Sequence, residues 1–242
     1  MTRAAIVVLA GGGGSRLGAT DERGEAINKV YLPLAGRPVI AWSLDAAART
    51  PGVRRLVLVV RPQDAAAVRR LLADQPGASS LEVIDGGATR HASESAALAH
   101  LAEAIQAGEL DVVAVHDGAR PLAGTELFAE VIEVAAETGG ALPAVAAGPL
   151  LSVDGGPELA QATVDTRLVR VQTPQAFRAR DLLRAFAAAD HDGWQGTDTA
   201  STVERYSDLS VQVITGSATN LKITYAGDLP VAAALLASRA SA

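Results

Sequence analysis

Short β-branched runs alternate along nearly the whole chain with alanine- and leucine-rich amphipathic segments, and that rhythm leaves few folds open. Runs at 5–9, 55–60, 81–84, 112–116, 141–145, 169–173 and 211–214 read as strands, and the intervening 39–49, 64–73, 91–104, 125–137, 180–189, 198–206 and 229–238 as helices. Strands separated by helices build βα units, so the expectation is an α/β fold with a mostly parallel twisted sheet and helices on both faces. With 242 residues, 49% of them hydrophobic, the chain can bury a full core as one domain spanning 1–242.

One stretch breaks the rhythm. Gly148 to Arg167 carries Gly-Pro and Asp-Gly-Gly-Pro without a helical period. It reads as a protruding arm at about 146–168, either exchanged onto a second copy to make a homodimer or left as a long surface loop.

Composition closes off several classes of function. Lys and Arg number 21 against 27 Asp and Glu, a formal charge of −6, so the basic field that a nucleic-acid polymer requires is missing. The absence of cysteine excludes disulfides, thiolate metal sites and cysteine nucleophiles. Charges or glycines interrupt every apolar stretch before the ~20 residues of a membrane span, and a cytoplasmic location without a membrane partner is the expectation. None of the four histidines has metal-ligand spacing.

The first strand runs directly into Leu9-Ala10-Gly11-Gly12-Gly13-Gly14-Ser15-Arg16-Leu17-Gly18. Glycines after a strand let the backbone approach an anion and present successive N–H groups to it, although one or two can also serve turn geometry alone. A P-loop would need Lys-Ser/Thr where Ala19-Thr20 stands, and a dinucleotide fingerprint would need glycine where Leu17 stands. What remains is a phosphate loop with its own cation, Arg16; Lys29, just before an apolar segment, either reaches the same phosphates or is a solvated lysine near a turn. Asp117 ends a buried strand at its carboxyl edge, where it suits either Mg²⁺ bridged to phosphates or a turn before Gly118. Arg120 offers a fork for a phosphate or faces solvent. Lys222, in a strand-like run between Leu221 and Ile223, points toward a cleft or toward water. Thr173 suits a ligand pocket, and Thr197 is either a helix N-cap or a ligand.

The Gly-rich turn, Arg16 and Lys29 together resemble the opening of the sugar-nucleotide pyrophosphorylase superfamily. Further blocks narrow the likeness: Gly86-Gly87-Ala88-Thr89-Arg90-His91-Ala92-Ser93, Val115-His116-Asp117-Gly118-Ala119-Arg120-Pro121, Gln172-Thr173-Pro174-Gln175-Ala176-Phe177, Thr197-Asp198-Thr199-Ala200-Ser201 and Asn220-Leu221-Lys222-Ile223-Thr224. In this order they resemble the 2-C-methyl-D-erythritol 4-phosphate cytidylyltransferase family over nearly the whole chain. The resemblance implies a Rossmann-like fold and Mg²⁺-dependent transfer of CMP from CTP to a polyol phosphate, with release of pyrophosphate, in isoprenoid precursor synthesis. It implies catalytic roles for Arg16, Lys29 and Lys222, and nucleotide contacts from Ala10, Gly11, Gly12, Gly14, Gly87, Ser93 and Gly118. It also implies acceptor contacts from Asp117, Arg120, Arg167, Thr173 and Thr197, with Asp117 holding the metal.

This chain departs from the family pattern at several points. Leu9 and Asn28 stand where prolines are usual, Gly11 replaces alanine, Ala88 replaces an aspartate that often contacts ribose, and Gly148-Pro149-Leu150-Leu151 replaces Asp-Thr-x-Lys. The competing readings are transfer to another polyol phosphate such as ribitol 5-phosphate, GTP transfer to a molybdenum cofactor, and a non-catalytic nucleotide-binding module.

Overall fold

The structure, a computed structural model, describes residues 1–12, 27–74, 81–148, 152–153, 159–160 and 168–240. The chain begins with β1 (Ala4–Leu9), followed by the short hairpin β2 (Pro33–Leu34) and β3 (Arg37–Pro38) and by α1 (Val39–Ala48). Next come β4 (Val53–Val60), α2 (Ala65–Asp74), β5 (Leu81–Asp85), α3 (Arg90–Gln106), β6 (Val112–Asp117), α4 (Thr125–Thr138) and β7 (Gly139–Ala146). The remainder is β8 (Ser152–Val153), β9 (Leu159–Ala160), β10 (Val169–Val171), β11 (Gln175–Arg178), α5 (Ala179–His191), α6 (Thr199–Tyr206), β12 (Ser210–Thr215) and α7 (Asp228–Ala240).

The expected α/β sheet forms, with eight strands among the described residues. β1 lies at its centre, parallel to β4 on one side and to β6 on the other, and β5 extends the sheet beyond β4. Burial explains why β1 is apolar at every position rather than at alternate ones. Ala4, Ile6 and Val8 face the core under α1, α2 and α4, while Ala5 and Val7 face the core under α3 and α5. A third, smaller core joins Leu34, Leu122 and Ile223 to Ala232 of α7, so the last helix braces the β2–β3 hairpin.

The far half of the sheet differs from the sequence expectation. A single strand over 169–173 is expected, but β10 stops at Val171 and the chain passes a cis Thr173–Pro174 bond before resuming as β11. β11 inserts between β6 and β7, antiparallel to both. Its signal is hidden because four residues carry little periodicity and Pro174, which cannot donate to a ladder, separates it from the obvious apolar run. β12 closes that side parallel to β7. Entry into β7 needs Gly139, whose φ is +116°, and a Cβ there would sit 2.9 Å from Leu209 Cδ2.

Within the arm, β8 and β9 pair antiparallel as a short ladder. Among the described residues, no helix is long and apolar enough to cross a membrane.

Phe177 is the largest side chain of β11 and is fully buried at the centre of the sheet. Phe177→Ala is expected to cost about 3–5 kcal/mol of folding free energy, read from chemical denaturation, because the surrounding strands cannot collapse into the space.

Candidate active site

Parallel pairing decides where the chemistry gathers. Leu9 at the end of β1 is in register with Asp117 at the end of β6, so both strands release their chains at one carboxyl edge, the ligand-binding edge of open α/β sheets. Gly118 N–H donates to Leu9 O at 3.0 Å, and a Cβ on Gly118 would meet that oxygen and Ile40 Cδ1, each at 3.0 Å. Between these ends opens a cleft of about 260 Å³ lined by Gly11 and Gly12 after β1, Lys29, Ser93 of α3, Asp117 and Lys222.

Asn28 sets the Lys29 turn. Its side chain donates to Ala10 O at 2.5 Å and to Asp64 Oδ2 at 2.9 Å, tying the turn to the end of β1. Lys29 itself is 8% exposed, a buried cation rather than a solvated one.

Asp117 is buried among cations. Lys222 Nζ lies 2.8 Å from Oδ2, Arg120 Nε 3.6 Å from Oδ2, and the Arg90 guanidinium pairs with Oδ1. Burial pushes this carboxyl up, but Arg90, Lys222 and Arg120 overcome that and hold it well below the usual carboxylate range. Arg90 also forms an ion pair with Glu94, with Nε 2.7 Å from Oε1. Glu94 is buried, accepts from Thr199 Oγ1 at 3.1 Å, and is raised to about 7, chiefly by burial.

Beneath Asp117 runs a chain of hydrogen bonds. Asp117 N–H donates to Thr173 Oγ1 at 3.0 Å, which leaves the Thr173 hydroxyl to donate to His116 Nδ1 at 3.1 Å. The network therefore assigns the imidazole proton to Nε2, 3.3 Å from Arg120 O. Burial keeps His116 neutral, with its pKa lowered to about 3.

The strand expected around Lys222 is not there; residues 221–224 form a loop. The sequence alternation is produced instead by docking. Ile223 N–H donates to Ala119 O at 2.8 Å, Arg120 Nη1 donates to Asn220 O at 2.8 Å, and Asn220 Nδ2 donates to Thr173 O at 3.0 Å. Ile223 is fully buried while Lys222 turns into the cleft.

Of the residues singled out from the sequence, Gly11, Gly12, Lys29, Ser93, Asp117 and Lys222 come together on the cleft wall. Ala10 is fully buried behind it, and Gly118 is buried at the turn where Arg120 also lies. Gly87 stands beside the cleft residues Ala88 and Thr89. Thr173 turns its hydroxyl under Asp117, away from the cleft wall. Thr197 is exposed, and the cap of α6 is Asp198, in a reciprocal capping box with Ser201. Gly14, Arg16 and Arg167 lie outside the described residues. Arg90 and Glu94 were not marked as functional by the sequence, yet Arg90 begins α3 with no acidic residue in that helix's first turn. A cation at a helix's positive end is disfavoured, so it needs anionic partners, and that was the readable signal.

No group of three or more His, Cys, Asp or Glu among the described residues could hold a metal by itself. Asp117 is the carboxylate on the cleft wall, and one carboxylate plus phosphate oxygens and water is the donor set Mg²⁺ takes.

Glu94 yields a test of this electrostatic reading. Its folded pKa, about 7 against an ordinary 4.5, means the native state keeps a proton that the unfolded chain loses, so its contribution to stability is full below pH 4.5 and falls by on the order of 3 kcal/mol up to pH 7. His116 acts in the opposite direction as acid lowers the pH below about 6.5. Comparing Glu94→Gln with wild type cancels the His116 contribution. The variant should gain in relative stability as pH rises from 4.5 to 7, measured by denaturant midpoints across that range.

The family model described as IspD: 2-C-methyl-D-erythritol 4-phosphate cytidylyltransferase matches residues 4–238. A 2-C-methyl-D-erythritol 4-phosphate cytidylyltransferase from Cereibacter sphaeroides is 39% identical over 239 residues, covering 98% of each chain. The crystal structure of the 2-C-methyl-D-erythritol 4-phosphate cytidylyltransferase from Thermus thermophilus superposes with a TM-score of 0.71 at 28% identity, covering 95% of this chain and 97% of that one. The 4-diphosphocytidyl-2C-methyl-D-erythritol synthase of Anaerococcus prevotii shares the fold, with a TM-score of 0.80 at 23% identity over 97% of this chain and 96% of that one.

Proposed function

This chain belongs to the 2-C-methyl-D-erythritol 4-phosphate cytidylyltransferase family, and on that premise we propose that the cleft around Asp117 is where it joins CTP to its acceptor. The enzyme transfers CMP from CTP to 2-C-methyl-D-erythritol 4-phosphate and releases pyrophosphate, a step of the non-mevalonate route to isoprenoids.

The chemistry is an in-line displacement. An oxygen of the acceptor's phosphate forms a bond to the α-phosphorus of CTP, the bond from that phosphorus to the bridging oxygen breaks, and the electron pair leaves on pyrophosphate. The attacking oxygen is already anionic, so no general base is required; the obstacle is bringing two anions together. Lys29 and Arg16 hold the triphosphate tail and leaving group. Lys222 leaves Asp117 to meet the charge that builds on the α-phosphate, and Gly11, Gly12 and Ser93 line the nucleotide. Bound Mg²⁺ would be held by Asp117 and would neutralise charge on the triphosphate. Arg120, whose guanidinium is partly fixed on Asn220 O, is left facing the acceptor's phosphate. The observation that carries this assignment is the convergence of Lys29, Lys222 and Asp117 on one cleft from three separate parts of the chain.

We also place the arm in a homodimer interface, with Arg167 reaching the partner's acceptor site. Leu168, Val169 and Val171 are 53%, 44% and 43% exposed where the arm rejoins the sheet, a strip of apolar surface that a second copy would cover. Location in the cytoplasm goes with this proposal, because both substrates are multiply charged and cannot cross a bilayer unaided.

Lys222→Ala should lower kcat by on the order of 10²–10³ with circular dichroism unchanged, in a pyrophosphate-release assay. Wild type offered each of the four triphosphates and either 2-C-methyl-D-erythritol 4-phosphate or ribitol 5-phosphate should turn over fastest with CTP and the first acceptor; a preference for ribitol 5-phosphate would overturn the acceptor assignment. Val169→Asp with Val171→Asp should shift sedimentation from dimer to monomer at micromolar concentration, and an unchanged dimer would remove the arm from the interface.

A further inference from the structure

Arg90 has no part in the proposed transfer, yet it lies on the cleft wall and is buried against the carboxylate at its centre. Its position carries a cost. It is the first residue of α3, directly after the N-cap Thr89, whose hydroxyl accepts from Ala92 N–H. A cation there opposes the positive end of the helix dipole, and desolvation adds to the penalty.

Two carboxylates compensate that cost. One branch of the guanidinium pairs with Asp117 Oδ1, and Nε lies 2.7 Å from Glu94 Oε1. Glu94 is one turn along the same helix, so the pair is set by helix geometry before Asp117 is added. The guanidinium sets its donors at fixed spacing and direction toward the two acceptors, whereas a lysine ammonium is a single point charge on a flexible stem.

The three cations around Asp117 are not equivalent in their anchoring. Lys222 rides on the loop before α7 and Arg120 on the turn after β6, whereas Arg90 is fixed in a 17-residue helix packed on the sheet. Among the described residues, Lys222 and Arg120 approach Oδ2 and Arg90 pairs with Oδ1.

We infer that Arg90 is a positioning residue, which pins Oδ1 of Asp117 from the rigid helix so that Oδ2 is presented to whichever cation occupies the cleft, Lys222 before substrate arrives and the metal–nucleotide complex afterwards. The inference rests on the role proposed above for Asp117. With Arg90 in place, the departure of Lys222 toward the α-phosphate leaves the buried carboxylate neither unpaired nor free to rotate.

The test uses Arg90→Lys, which keeps the charge, and Arg90→Gln combined with Glu94→Gln, which removes both members of the helix pair and leaves no lone buried carboxylate. Asp117→Asn is measured in parallel. Each variant is assayed for kcat and for KM of both substrates, and for CTP binding by calorimetry with Mg²⁺ and with EDTA. Both Arg90 variants should lose about 10–100-fold in kcat, the loss typical when a partner that orients a metal ligand is removed, with KM changed less than about threefold. CTP affinity in EDTA should match wild type, while the gain that Mg²⁺ brings should shrink. Wild-type kcat in both variants, with Asp117→Asn inactive, would overturn this inference and leave the Asp117 reading standing. Equal loss of CTP affinity with and without Mg²⁺ would make Arg90 a direct nucleotide ligand and overturn it as well. Wild-type turnover in Asp117→Asn would remove the proposed role of Asp117 and this inference with it.

Discussion

A single ionised carboxylate, buried at the end of a central strand, organises the cleft at the carboxyl edge of the sheet. Asp117 is 7% exposed, and a charge so placed is tolerated only when partners surround it. Its partners come from α3, from the turn after β6 and from the loop before α7. Three stretches remote in sequence are thereby drawn to one point, and three cations are gathered in the act of satisfying one aspartate. In the proposed reaction Lys222 exchanges Asp117 for substrate while Arg90 stays on the carboxylate, so the site is organised before binding.

Support from below is polar but uncharged. β11 brings Thr173 beneath the backbone of Asp117, and the threonine hydroxyl and neutral His116 carry hydrogen bonding on to the carbonyl of Arg120. The same segment holds the Lys222 loop through Gln172, which donates to Ser217 O at 2.8 Å, and through Asn220 on the carbonyl of Thr173. The segment that leads into antiparallel β11 thus has a definite consequence: it supplies the hydrogen bonds that fix both the backbone of Asp117 and the loop of the late lysine. Glu94 extends the network outward to Thr199, so the start of α6 is tied to the same helix that pins Asp117.

Much of this was readable in the chain itself. The alternation of apolar runs and amphipathic segments determines a parallel-rich α/β sheet, because strands buried on both faces must be apolar throughout and helices must cover them. The glycines after β1, Lys29, Asp117 and Lys222 stand out in the sequence as candidates for holding phosphate, and the described members of that set line one cleft. What the sequence withheld are features whose cause is non-local. β11 is too short for a periodic signal and follows Pro174, so only its pairing with β6 and β7 makes it a strand. Lys222 has the alternation of a strand residue, but its direction comes from Ile223 docking under Ala119. The hydroxyl of Thr173 was read as facing a ligand, and tertiary contact turns it to the backbone of Asp117 instead. The helix-initial place of Arg90 signals a need for anionic partners, but only the fold shows that Asp117 is one of them. Local pattern is set by which face of an element is buried; the partners of a buried charge are set by which distant segments the sheet brings to that edge, and no window of sequence contains both.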